Sequence, residues 1–254
     1  MEPLKAISRS FRPLLQDGTR PVEFIGRVAA EIPPLLRHGM RARDFAYYMN
    51  LCGVQALPIV LLICFLMGMV MAVNGQIQLS KFGQEIFVVD AVGFVVLKEL
   101  GPLMVAMVLT GWAGSAFAAE IGTMKLDEQV SALETMGIRP ESFLVFPKLA
   151  AMLISMPILT IFGNVAGIAG GMVIGVTLMK IPLVAYWMRT IEVLNVTTFV
   201  LGTAKSIPFA ILITLAGCYC GFNAATDSQG VGRGATKAVV TSIFLVVVDR
   251  KSVV

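Results

Sequence analysis

The chain has 254 residues, 57% apolar and only 14% charged, with a formal net charge of +4 and a mean hydropathy of +0.82. Soluble domains carry roughly 25% charged residues. This composition therefore excludes a soluble enzyme or a nucleic-acid binder and points to one integral membrane unit.

The first fifty residues carry mixed charge rather than the short basic start and cleavage site of a signal peptide. Leu4, Ile7, Phe11, Leu14 and Leu15 line one helical face, with Lys5, Arg9 and Arg12 away from it. Val22, Ile25, Val28, Ile32 and Leu36 form a second stripe, ended near Pro33 and Pro34. Basic amphipathic helices of this kind lie in the membrane interface. Residues 1–50 thus read as a cytoplasmic, interfacial region, and residues 51–254 as a transmembrane domain.

Apolar runs follow in order: Leu51 to Ser80, Leu100 to Ala119 with an upstream extension from Ala91 to Leu97, Leu149 to Met179, and Ser206 to Thr226. Each is long enough for a helical span of about 20 residues. A fifth run, Thr236 to Val248, is too short unless polar flanks help. Thirteen lysines and arginines fall on the N-terminal side of these crossings and five on the other. The positive-inside rule then places the N-terminus in the cytoplasm and the C-terminus outside.

Lys98 and Glu99 interrupt the second apolar stretch, where ionisable groups are costly and face a protein interior or a watery cavity. They fit either a polar spot on a substrate path or a partly solvated structural pair, and Pro102 predicts a kink beside them. Between the second and third runs lies KLDEQVSALETMG, Lys125 to Gly137. Its spacing predicts a short amphipathic helix with Leu126, Val130 and Leu133 on one face. Asp127, Glu128, Ser131, Glu134 and Thr135 take the other. Thr123 is placed to cap its start, and Gly137 with Pro140 to end it. A structured acidic helix at the membrane edge predicts a docking partner.

In the third run Gly163, Gly167, Gly171 and Gly175 form a four-residue ladder, a packing feature that lets helices approach closely. The glycine-rich stretch from Gly230 to Gly234 lacks the strand and lysine of a phosphate loop, so it reads as a flexible turn. Cys52, Cys64, Cys218 and Cys220 read as small buried hydrophobes. The one-residue gap between the last two is too tight for zinc. With His38 the single histidine, neither metal chemistry nor histidine catalysis has material to work with.

The run from Lys98 to Pro140, KELGPLMVAMVLTGWAGSAFAAEIGTMKLDEQVSALETMGIRP, resembles the signature of the MlaE-type permeases, the membrane subunits of lipid-transporting ABC systems that work with MCE proteins. GMVMAVNGQIQL, PKLAAMLISMPILT and GFNAATDSQGVGRGATKAVVTS extend the resemblance from Gly68 to Ser242. It implies an all-α polytopic membrane protein of the cell inner membrane, with an interfacial N-terminal helix, five transmembrane helices and a cytoplasmic coupling helix at about 125–136.

Two copies would form the core of such a transporter. The resemblance implies no enzymatic activity in this chain and no cofactor of its own, since ATP is bound by a separate ATPase subunit. That subunit would grip the coupling helix through Lys125, Leu126, Glu128, Gln129, Val130, Leu133, Glu134 and Met136. A periplasmic, membrane-anchored MCE protein would exchange phospholipid with a cavity at Met71, Gln78, Leu79, Phe82, Lys98 and Glu99, in a role that keeps the outer membrane asymmetric. A small STAS-type cytoplasmic subunit is a further partner of such systems. Trp112 departs from the family's usual arginine, and the charged ending DRKSVV replaces a longer apolar one. The alternative is an ATP-independent secondary transporter or channel, which would need buried charges along several spans and often repeated halves.

Overall fold

The computed structural model describes residues 24, 26–28, 42–82, 86–193 and 196–249. Eleven α-helices run through them in chain order: α1 Ala42–Met49, α2 Leu57–Leu79, α3 Phe87–Val95, α4 Gly101–Leu109, α5 Ser115–Leu126, α6 Gln129–Thr135, α7 Pro140–Thr177, α8 Leu183–Val193, α9 Val196–Ala204, α10 Ser206–Phe222 and α11 Ser228–Asp249. Three π-helical turns, Asn50–Val54, Val96–Leu100 and Thr110–Gly114, join neighbouring helices without breaking the rod. Five stretches are long and apolar enough to cross a membrane: Ala42–Leu79, Phe87–Leu126, Phe143–Thr177, Thr197–Phe222 and Ser228–Asp249.

Most span boundaries move outward from the sequence expectation, because polar end residues are helical as well. The fifth shows this most clearly. Gly230, Gly232 and Gly234 are not a flexible turn; they sit in the first turns of α11. A Cβ at Gly234 would lie 3.0 Å from the Ala224 side chain, so a small residue there lets α11 fold back tightly on α10. The helix then has 22 residues, about 33 Å at 1.5 Å per residue. That matches the hydrocarbon thickness of roughly 30 Å.

The expected kink at Pro102 is also resolved locally. Pro102 lies one residue beyond Gly101's junction with the π-helical turn and occupies the first turn of α4. The wider turn absorbs the missing N–H donor, so the second span continues through Lys98 and Glu99.

Two packed groups make the bundle. In one, α2 and α7 meet backbone to backbone: a Cβ at Gly68 would collide with the Gly167 carbonyl, and one at Gly170 with the Phe65 carbonyl. In the other, α5 packs on α10 and α11, and Gly217 and Gly221 leave room for the carbonyls of Gly114 and Ala118. Phe117, Leu109, Met152, Met156 and Ile213 are fully buried between the groups.

Of the N-terminal stripes, Val28 alone falls within the described residues. It is buried, as is Phe24, whose ring lies 5.7 Å from Tyr219 and 5.9 Å from Phe222. Leu4, Ile7, Phe11, Leu14, Leu15, Val22, Ile25, Ile32 and Leu36 lie outside the described residues.

Candidate functional site

Polar chemistry gathers at both ends of this bundle. At the end away from α6, Lys98 and Glu99 occupy the π-helical turn Val96–Leu100. They do not pair with each other. Lys205, at the junction of α9 and α10, is buried and donates from Nζ to Glu99 Oε1 at 2.9 Å. The Lys98 ammonium lies 5.3 Å from the centre of the Phe94 ring, a cation–π distance. Gly202 of α9 abuts the Leu97 carbonyl, which brings the fourth span against this turn.

Met71 and Leu79 pack on a cluster of Ala72, Val88, Val92, Val96 and Met179. The cluster therefore touches the same π-helical turn through Val96. Gln78 is exposed on α2, and the side chain of Phe82 lies outside the described residues. The glycine ladder serves several neighbours. A Cβ at Gly163 would lie 3.0 Å from Cys64 and Val105, and one at Gly167 2.9 Å from Val96. Gly171 faces Val92 and the Tyr186 hydroxyl, while Gly175 faces the Tyr186 ring. Beside them Asn164 is 1% exposed, and neither polar atom of its side-chain amide finds a hydrogen-bond partner among the described residues.

The other end carries the acidic elbow, and its shape differs from the expectation. It is not one helix from Lys125. The second span runs on to Leu126, and Thr123 lies inside it, donating to the Ala119 carbonyl at 2.9 Å instead of capping a new helix. The chain then turns at Asp127 and Glu128, with Glu128 in the left-handed region at φ 59°. The short helix α6 follows from Gln129 to Thr135.

Gly137, at φ 75°, closes α6. Its N–H donates to Glu134 O at 2.9 Å, and the Ile138 N–H to Leu133 O at 3.0 Å. This reciprocal pattern satisfies the last carbonyls of a helix and requires a residue that tolerates positive φ. Val130 is buried and Leu126 and Leu133 are half-buried, while Asp127, Glu128, Gln129, Glu134 and Met136 are exposed. A cleft of about 540 Å³ opens beside the elbow, lined by Arg27, Glu134, Gly137, Ile138, Arg139, Pro140 and Glu141.

Lys125 holds the elbow's stem. Its ammonium donates to the carbonyls of Phe222 at 2.7 Å and Ala224 at 2.9 Å. These carbonyls lie at and just beyond the end of α10, where no further helical N–H reaches them. The residue thus ties the second span to the turn between the fourth and fifth.

Sequence reasoning missed a buried network above the elbow. Lys148 is completely buried within α7. It donates to the Tyr48 hydroxyl at 2.8 Å and lies 3.4 Å from Glu120 Oε2. Tyr48 in turn donates to Glu120 Oε1 at 2.7 Å, and the ammonium sits 4.5 Å from the centre of the Tyr48 ring. The three residues come from the first, second and third spans. The one available signal is the position of Lys148 immediately before the uninterrupted apolar run from Leu149.

Trp112 takes a structural position in the π-helical turn Thr110–Gly114. Its indole N–H donates to the Leu51 carbonyl at 3.1 Å, within the π-helical turn Asn50–Val54 of the first span.

A family profile described as Permease MlaE matches residues 45–250. A probable ABC transporter permease protein of Rickettsia typhi is 34% identical over 197 residues, covering 78% of this chain and 76% of the relative. The intermembrane phospholipid transport system permease protein MlaE of Haemophilus influenzae is 34% identical over 199 residues, again 78% of this chain and 76% of the relative. A probable ABC transporter permease protein of Synechocystis is 30% identical over 215 residues, 85% and 82% of the two chains.

Proposed function

This chain belongs to the MlaE permease family, as a lipid-transporting ABC permease of the inner membrane, and from that premise we propose that it moves phospholipid between the inner membrane and a periplasmic MCE protein. Its cellular role is then to maintain outer-membrane lipid asymmetry. Two copies form the translocation core, the N-terminus and elbow face the cytoplasm, and a separate ATPase supplies the energy. A STAS-type subunit binds on the same cytoplasmic side.

The observation that carries this reading is the elbow. Asp127 and Glu128 in the turn and Glu134 on the short closed helix stand in solvent, and the elbow's stem is fastened to the fourth span by Lys125. A docking surface of this kind transmits force only if it is rigid, and here the Gly137 closure and the Lys125 ties make it so. ATP binding draws the ATPase subunits together, the elbow follows, and the second and fourth spans move with it. At the far end, apolar Met71 and Leu79 suit acyl chains. Lys98 and Glu99 suit a headgroup, whose phosphate is costly to bury unpaired.

The test is co-purification. Leu133→Asp and Glu134→Arg change the elbow without touching the spans, so each is expected to release the ATPase subunit in detergent and abolish lipid-stimulated ATP hydrolysis. Retention of the subunit with full activity in both variants would refute the coupling role.

A further inference from the structure

The helix α8, Leu183–Val193, stands at the opposite end of the third span from the elbow. Its two faces differ sharply. Tyr186 and Thr190 are buried, at 3% and 5% exposure. Leu183, Val184, Trp187, Met188 and Ile191 are all at least 55% exposed. At 100° per residue these five fall within an arc of about 140°, one continuous apolar face.

The buried face is firmly fastened. Tyr186 fills the notch left by Gly171 and Gly175 of α7. Arg189 makes a bidentate pair with Asp90 of α3, at 2.8 Å from Nε to Oδ1 and 2.7 Å from Nη2 to Oδ2. It also donates to Glu192 at 3.2 Å. Hydrogen bonding to Asp90, then its charge, holds the guanidinium above its ordinary range. The one basic residue of α8 is thereby neutralised on the fastened side of the helix, away from the five apolar residues.

We propose that α8 lies flat in the interfacial layer of the outer membrane leaflet, with this apolar face resting on lipid acyl chains. Continuity with the membrane-exposed surface argues for lipid as the occupant. Leu178, just before α8, is 53% exposed, and Val200 and Leu201, just after it, are 56% and 55% exposed. Exposed apolar residues of the third and fourth spans thus flank α8 in the chain on both sides. A helix with one strongly apolar face and a tryptophan among its outward residues suits the headgroup–acyl boundary. The choice of leaflet rests on the cytoplasmic placement of the elbow, whereas the interfacial depth does not: α8 becomes a lipid-facing sill beside the Met71, Leu79 and Val96 cluster.

The chain has two tryptophans, so Trp112→Phe leaves Trp187 as the sole indole reporter. The full chain carrying this substitution is placed in nanodiscs of phosphatidylethanolamine and phosphatidylglycerol, with chains either unbrominated or brominated near the glycerol or near the terminal methyl. Interfacial helices sit roughly 5–10 Å into the headgroup–acyl boundary, so shallow bromines are expected to quench emission about twofold or more. Deep bromines should quench less, and aqueous iodide little.

Strong iodide quenching with no effect of bromine would overturn the proposal and leave α8 in water. So would emission shielded from iodide yet insensitive to bromine at both depths, since a protein surface would then cover the face. Should Trp112→Phe fail to fold, a spin label on Met188→Cys reports the same depth. Greater access to oxygen than to a nickel chelate supports the proposal, and the reverse refutes it.

Discussion

Two lysine–glutamate pairs lie at opposite ends of the bundle and are built differently. At the elbow end, the fully buried Lys148 is held by Glu120, by the Tyr48 hydroxyl and by the Tyr48 ring. Each polar partner also bonds the other, and the three come from three spans in regular α-helix. At the far end, Lys205 reaches Glu99 across a π-helical turn, and nearby Asn164 has a buried amide without a partner among the described residues. The first arrangement is closed and suits a joint that transmits movement. The second, with an irregular turn and an unsatisfied polar group, suits a place whose contacts change during transport.

The largest test of that contrast is Glu120→Ala. It leaves the buried Lys148 ammonium with the Tyr48 hydroxyl and ring but without the Glu120 carboxylate, and breaking a buried pair costs up to about 3–5 kcal/mol. Thermal unfolding of the detergent-solubilised protein should show a deep fall in midpoint. Lys148→Met should fall less, because it removes the buried charge and keeps the volume. If both behave alike, the network is not the closed joint described.

Glu99→Gln should have an intermediate effect. A hydrogen bond to a charged group contributes about 1.5–3 kcal/mol, and the amide keeps the contact while losing the charge. The expectation is reduced lipid transport with the ATPase subunit still bound. Unchanged transport would return Glu99 to a purely structural role.

Asn164→Leu should act in the opposite direction on stability. An unsatisfied buried amide costs roughly 1–3 kcal/mol, so an apolar side chain of similar size should raise the unfolding midpoint slightly. If the amide gains a partner in another transport state, the same variant should slow transport. A lowered midpoint would mean that Asn164 is already satisfied, and the contrast between the two ends would weaken.

Much of this protein was legible in the order of its residues. Helical class, five crossings, an acidic elbow between the second and third, and a glycine ladder in the third all follow from local periodicity and composition, which act over a few turns of chain. Several boundaries did not follow. Gly230 to Gly234 carries turn composition yet is helical, because the close approach of α11 to α10 rewards small residues there. The elbow's break at Glu128 was likewise hidden, since a left-handed glutamate has no compositional mark.

What only the tertiary structure decided is which charges meet. Lys98 and Glu99 are adjacent in sequence, yet Glu99 turns to Lys205 from another span. Lys125 belongs to the acidic elbow by sequence, yet its ammonium reaches across to cap the end of α10. Tyr48, Glu120 and Lys148 lie 72 and 100 positions from one another across the relevant contacts. The physical reason is one of range. Hydrophobic periodicity is a property of one helix, whereas a buried charge takes whatever partner the packing of other helices brings within about 3 Å, and nothing local encodes that choice.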